Sequence, residues 1–271
     1  MKLSVNNDAV FFSRGGVDWK PGQPTLVLIH GAGLNRTVWT LFTRYFARRG
    51  YNVVAPDLPG HGHSEGDALP SIEAMGRWVN TFLDLCAKEY SDLSLEDVRL
   101  AGHSMGSLVA LQAVGDQPIR YASVALLGTA YPMVVGAPLL NAAKANDQAA
   151  VDMITLFGHS PASRLGRNPI AGVSVMNVGA ALLQNAAPGV LHNDLAACNN
   201  YAEGEQAAAA AGASSVTLIL GVDDQMTLPK GGHALASLIA GSRVIEIEDC
   251  GHMMLGEQPE ATLQAMLRAF Q

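Results

Sequence analysis

The chain alternates between short apolar runs and longer stretches in which apolar residues recur every three or four positions. The runs at 25–29, 52–55, 98–101, 123–127, 216–220 and 243–247 are strand-length and apolar on most successive residues. A strand that is apolar on both faces belongs inside a covered sheet, so these read as buried parallel strands. Between them lie helical patterns. Residues 37–49 carry a Trp39, Phe42, Phe46 stripe, and 71–90 place Ile72, Met75, Val79, Phe82 and Leu83 on one face. The segments 104–114, 230–240 and 259–270 complete the set. This alternation predicts an α/β fold with a doubly wound, mostly parallel sheet. The Val10 to Phe12 run, with a turn signal at Gly15-Gly16, is expected to add an antiparallel edge pair.

The alternation stops between 129 and 215. That region offers helical stretches at 139–157, 173–185 and 190–201, broken by Pro161, Pro169, Pro188 and Gly189, and an alanine-rich short helix at 203–211. So long a strandless segment is not a loop of a compact domain. The expected organisation is a core of residues 1–128 and 216–271, with 129–215 inserted as a helical cap over one end of the sheet.

Where the pattern changes from strand to helix, the chain reads Gly102-His103-Ser104-Met105-Gly106. A serine on a tight strand-to-helix turn needs small neighbours, stands above the sheet, and faces the first amides of the following helix. Serine is a weak nucleophile at neutral pH and needs a base. Of eight histidines, His252 is the one that follows a predicted strand at its carboxyl end, where open parallel sheets place their sites. His103 is expected to point away from Ser104. His30, His61 and His63 sit in glycine-rich loops, His159 and His192 in the insertion, and His233 on a helix surface. The base needs a carboxylate to fix its tautomer. Asp223 and Asp224 follow the 216–220 strand, and either can serve. Asp224 is preferred, with Asp223 read as a turn or capping residue, and the loop after Leu127 holds no carboxylate.

Composition narrows the partners. The chain has 271 residues, 49% hydrophobic and 15% charged, so one large core is within reach. A net charge of −7 without a basic cluster argues against nucleic acid and against anionic membranes. The three cysteines are odd in number and form no C-x-x-C, as expected of buried thiols in a reducing compartment. Neither a signal peptide nor a run of about 20 apolar residues is visible. The expectation is a cytoplasmic protein acting on a small molecule, its oligomeric state open, a homodimer included.

These residues resemble the α/β-hydrolase superfamily over essentially the whole chain. His30-Gly31-Ala32-Gly33 is similar to its H-G-x-x loop, and Asp57 to Ser64 to its D-x-x-G-x-G-x-S loop. Gly221 to Pro229 is similar to its G-x-x-D-x-x-x-P acid loop, with one extra residue before the proline, and the match falls on Asp224. Gly251-His252 with Glu257 and Pro259 resembles its C-terminal segment. The resemblance implies a catalytic set of Ser104, Asp224 and His252, and an oxyanion hole from the backbone amides of Ala32 and Met105. It implies no cofactor. His30, Gly31, Met133, Met153, Phe157 and Met176 are the tentative substrate contacts.

The chemistry that follows is hydrolysis of a small or medium, largely apolar carboxylic ester through an acyl-enzyme. Carbon–carbon, lactone or amide hydrolysis, or cofactor-free perhydrolysis, would use the same residues. Serine at the turn argues against enzymes that form alkyl-esters on aspartate. A ligand receptor on the same fold is the non-enzyme alternative. A metal site at Asp57, His61, His63 and Asp67 is not expected, because the spacing lacks H-x-H-x-D-H.

Overall fold

The computed structural model describes residues 1–167 and 172–271; Pro169, expected to interrupt the helices of the insertion, lies outside them. The strands are β1 (Lys2–Val5), β2 (Asp8–Ser13), β3 (Thr25–Ile29), β4 (Asn52–Pro56), β5 (Val98–His103), β6 (Tyr121–Leu127), β7 (Ser215–Gly221) and β8 (Arg243–Ile247). They form one sheet in the order β1-β2-β4-β3-β5-β6-β7-β8. From β4 to β8 every pairing is parallel, and β1-β2 and β2-β4 are antiparallel. All six expected parallel strands are present.

The edge pair differs in one respect. Its turn is at Asn6 and Asn7, not at Gly15-Gly16, so the partner strand precedes Val10 rather than following it. Both asparagines have positive φ, 52° and 74°, the backbone a two-residue hairpin requires. Asparagine tolerates that region better than most residues.

After β3, a 3₁₀ turn at Arg36–Trp39 leads into α1 (Thr40–Ala47). Helix α2 (Ile72–Glu89) follows β4, and α3 (Met105–Asp116) follows β5. Ser71 starts α2, its hydroxyl accepting the Ala74 amide. The insertion between β6 and β7 holds α4 (Ala137–Lys144), α5 (Gln148–Phe157), α6 (Pro161–Arg164), α7 (Val175–Gln184), α8 (Val190–Asn200) and α9 (Gly204–Ala211). The chain closes with α10 (Pro229–Leu238), α11 (Met254–Glu257) and α12 (Pro259–Ala269). The stretch expected as one helix over 139–157 is two, because Asn146 turns left-handed (φ 52°) and the Asp147 side chain then caps the Ala149 amide.

Both sheet faces are buried, as the apolar runs require. Along β3, Val27 and Ile29 pack into one cluster with α2 and α3, while Leu26 and Leu28 pack into the other with α1 and α12. Helix α9 lies against α3, with Ala207, Ala208 and Ala211 buried in the larger cluster. Helices α4, α5 and α7 instead contribute to two smaller clusters, and Leu34 of the loop after β3 joins the one formed by α5 and α7. Among the described residues no helix is long and apolar enough to cross a membrane.

Candidate active site

Ser104 occupies the corner between β5 and α3 with φ 55° and ψ −123°. This is strained backbone for a residue with a Cβ, and it persists only where the surroundings over-determine it. The packing does so: a Cβ on Gly102 would lie 1.9 Å from the Gly106 carbonyl oxygen, and one on Gly106 would lie 2.4 Å from the Ile29 oxygen. The Ser104 amide donates to the Leu127 carbonyl at 2.9 Å, tying the turn to the neighbouring strand. Met105 opens α3, so its N–H is a first-turn amide with no partner inside the helix.

The loops after β7 and β8 bring two further side chains to Ser104. His252 Nε2 lies 2.8 Å from Ser104 Oγ, and its Nδ1 lies 2.8 Å from Asp224 Oδ2. The carboxylate only accepts, so Nδ1 carries the hydrogen and Nε2 is free to accept the serine proton. Asp224 and His252 are both buried. Asp224 Oδ1 accepts the Met226 and Thr227 amides, each at 2.8 Å, and Oδ2 accepts the Thr227 hydroxyl at 2.7 Å. Burial alone would raise the Asp224 pKa, but His252 and the Thr227 bonds outweigh it and hold the carboxyl below its ordinary value. The neighbouring Asp223 is tied into the turn by its backbone, its amide donating to the Cys250 carbonyl.

Several of the remaining histidines are held by the protein. His103 reaches across to the His252 carbonyl, its Nε2–H donating at 2.7 Å, and so braces the loop that carries the base. His61 and Asp57 are engaged with the protein: His61 with Pro59 and Asp194, and Asp57 with Arg36 and the His63 amide.

A cavity of about 290 Å³ opens on Ser104 and His252. Ala32, Met133, Met153 and Phe157 line it, as do Cys198 and Thr227. Three of the tentative substrate contacts do not. His30 is fully buried, with Nδ1 on the Gly31 carbonyl and Nε2 accepting the Leu58 amide, so it has no face for a ligand. Gly31 is packed against His103 and the Ser104 Cβ. Met176, on α7, is outside the lining; α7 borders a separate apolar cavity through Val175, Val178 and Leu182. Thr227 was not legible as a functional candidate. The extra residue in the acid loop is the only signal its neighbourhood offered.

A model of the alpha/beta hydrolase family matches residues 26–265. The (E)-2-((N-methylformamido)methylene)succinate hydrolase of Acinetobacter baylyi is 28% identical over 98% of this chain and 95% of its own length. The pimeloyl-(acyl-carrier protein) methyl ester esterase of Aromatoleum aromaticum is 31% identical over 88% of this chain and 94% of its own. Among solved structures, the enol-lactonase from Burkholderia xenovorans LB400 superposes with a TM-score of 0.81 at 21% identity, covering 99% of this chain and 98% of that one.

Proposed function

The chain belongs to the alpha/beta hydrolase family, and from that premise we propose that it is a serine hydrolase of uncharged, largely apolar carboxylic esters. The observation that carries this reading is the unbroken line from Ser104 Oγ through His252 to Asp224, two contacts of 2.8 Å, opening into an apolar cavity.

Ser104 Oγ attacks the ester carbonyl as His252 Nε2 takes its proton. Asp224 stabilises the resulting imidazolium and holds its ring plane. The amides of Ala32 and Met105 receive the charge that develops on the carbonyl oxygen. The imidazolium then protonates the departing alcohol, leaving an acyl group on Ser104. A water molecule, deprotonated by the same nitrogen, attacks the acyl carbon and returns the serine. The insertion acts as a cap that supplies the acyl-side wall through Met133, in the segment before α4, and Met153 and Phe157 of α5.

The cavity wall favours a neutral acyl chain. Among its described lining residues none is lysine or arginine, and an unpaired carboxylate is costly to desolvate. A succinate derivative, named for the Acinetobacter relative, would find no cation there. A methyl or other small alkyl ester, as in the name of the Aromatoleum relative, suits the wall better. A neutral lactone presents the same carbonyl and is turned over by the same steps.

The test is a panel of p-nitrophenyl esters of rising acyl length, with the hemisuccinate alongside. Each methylene added until the cavity is full should raise kcat/KM about fourfold, the equivalent of about 0.8 kcal/mol. The hemisuccinate should fall at least 100-fold below the neutral ester of equal length. A hemisuccinate cleaved as fast as the neutral ester overturns the substrate class, and inactivity on all esters and lactones overturns the reaction.

A further inference from the structure

Asp194 lies fully buried on α8; its Oδ1 takes a long contact of 3.4 Å from the neighbouring Asn193 side-chain amide, and its other partners are remote in sequence. Its Oδ2 accepts the Gly33 N–H at 2.8 Å and meets His61 Nε2 at 2.8 Å. His61 Nδ1 lies 2.9 Å from the Pro59 carbonyl. Both ring nitrogens therefore face acceptors, so both carry hydrogens and the ring is an imidazolium. Burial works against that charge, but the Asp194 carboxylate, the Pro59 carbonyl and Asp57 together outweigh it and raise the His61 pKa. The adjacent His30 ring, 4.9 Å away by centroids, is neutral because its Nε2 accepts the Leu58 amide, so it adds no second cation.

The Gly33 N–H belongs to the peptide next to the one carrying the Ala32 N–H. Peptide units are rigid planes with two soft torsions between them. On one side of Ala32, His30 is pinned through its ring to Leu58; on the other, Gly33 is pinned to Asp194. The Gly31–Ala32 peptide is bracketed between these anchors. Leu183 and Leu191 of the insertion close over Gly33, whose φ is +64°.

We propose that Asp194 is a positioning residue: by accepting the Gly33 amide from a helix of the insertion, it holds the Ala32 N–H where the oxyanion forms. This rests on the hydrolase reading above. Seating of α8 is then a condition of full activity, and His61 neutralises the buried carboxylate that does the holding.

The rate constant for labelling Ser104 with a fluorophosphonate tests this, because the phosphoryl oxygen needs the same amides and no particular ester has to be known. Asp194→Ala is expected to label about 10–100-fold more slowly, less than the roughly 10²–10³ that outright loss of an oxyanion donor costs, because the amide is loosened and not removed. Asp194→Asn keeps an oxygen for Gly33 and should stay within about fivefold of wild type. For a cleaved ester, kcat should fall in step with labelling while KM changes less than about threefold. A role confined to folding would lower the fraction labelled, not the rate constant of the folded fraction. If Asp194→Ala does not fold, Asp194→Glu replaces it: its extra methylene displaces the oxygen and should slow labelling at least tenfold at unchanged KM. Wild-type rates in the Ala or Glu variant, or an Asn variant as slow as either, overturn the proposal. A wild-type protein that neither labels nor cleaves brings down the hydrolase reading and this one with it. Normal wild-type labelling with unaffected variants brings down the positioning role alone.

Discussion

The Thr227 hydroxyl donates at 2.7 Å to Asp224 Oδ2, the same oxygen that receives the His252 Nδ1–H. One carboxylate oxygen thus serves two donors, and the hydroxyl sets the plane in which the imidazole is held. Thr227→Val keeps the shape and removes the donor. It should lower kcat about tenfold with KM unchanged, the equivalent of about 1.4 kcal/mol for a hydrogen bond to a charged group. Steady-state kinetics on the best ester decides it; an unchanged kcat removes Thr227 from the account.

The adjacent aspartates should separate sharply. Asp224→Asn leaves the imidazole without the partner that fixes its tautomer, and a fall in kcat of about 10³–10⁴ is expected, with activity still above the uncatalysed rate. Asp223→Asn should stay within about threefold, because the carboxylate on His252 Nδ1 is that of Asp224. If Asp223→Asn is the more damaging change, the acid has been misassigned.

Stability should fall in mild acid. His30 and His103 are fully buried, and burial, with His61 beside the first and His252 beside the second, depresses each pKa to about 3. Unfolded, each titrates near the ordinary value of about 6.5. A base whose folded pKa is depressed stabilises the fold fully above 6.5 and loses that contribution as pH falls toward 3. His61, with its raised pKa, contributes fully below 6.5 and fades as pH rises through its folded value. Two groups oppose one, so chemical denaturation at pH 5 should show a loss of about 1.6 kcal/mol for each depressed histidine relative to pH 6.5. His103→Gln should remove one such increment; equal pH slopes in the two proteins contradict the assignment.

Glu257 joins the loop of the base to the insertion. Its carboxylate is buried and accepts the Ser160 amide at 2.7 Å and the Gly251 amide at 3.1 Å. Glu257→Ala leaves two buried N–H groups unpaired and should cost about 3 kcal/mol. Differential scanning calorimetry should show a midpoint lower by roughly 6–12 °C for a chain of this size.

Legibility in the sequence follows the range of the interaction. Ser104 was readable because its turn is specified by five consecutive residues, and His252 and Asp224 because each lies in the loop that follows a strand with a plain apolar run. The parallel sheet followed from runs apolar on both faces. What escaped lies in contacts between distant segments. Asp194 reaches His61 across 133 residues and Gly33 across 161, and only the packing of α8 decides that. His30, whose glycine-rich loop suggests a bracing role and which is only a tentative substrate contact, does brace that loop: its ring turns inward to the Leu58 amide. The break between α4 and α5 was local, but Asn146-Asp147 carried no glycine or proline to announce it.

Rapid acid quench of the protein mixed with a p-nitrophenyl ester, followed by peptide mass spectrometry, reaches the central claim most directly. A covalent acyl group should appear on the peptide containing Ser104 within the first turnover, and Ser104→Ala should show neither the adduct nor turnover while remaining folded. Undiminished turnover in Ser104→Ala, or an acyl group found on another side chain, would contradict the account.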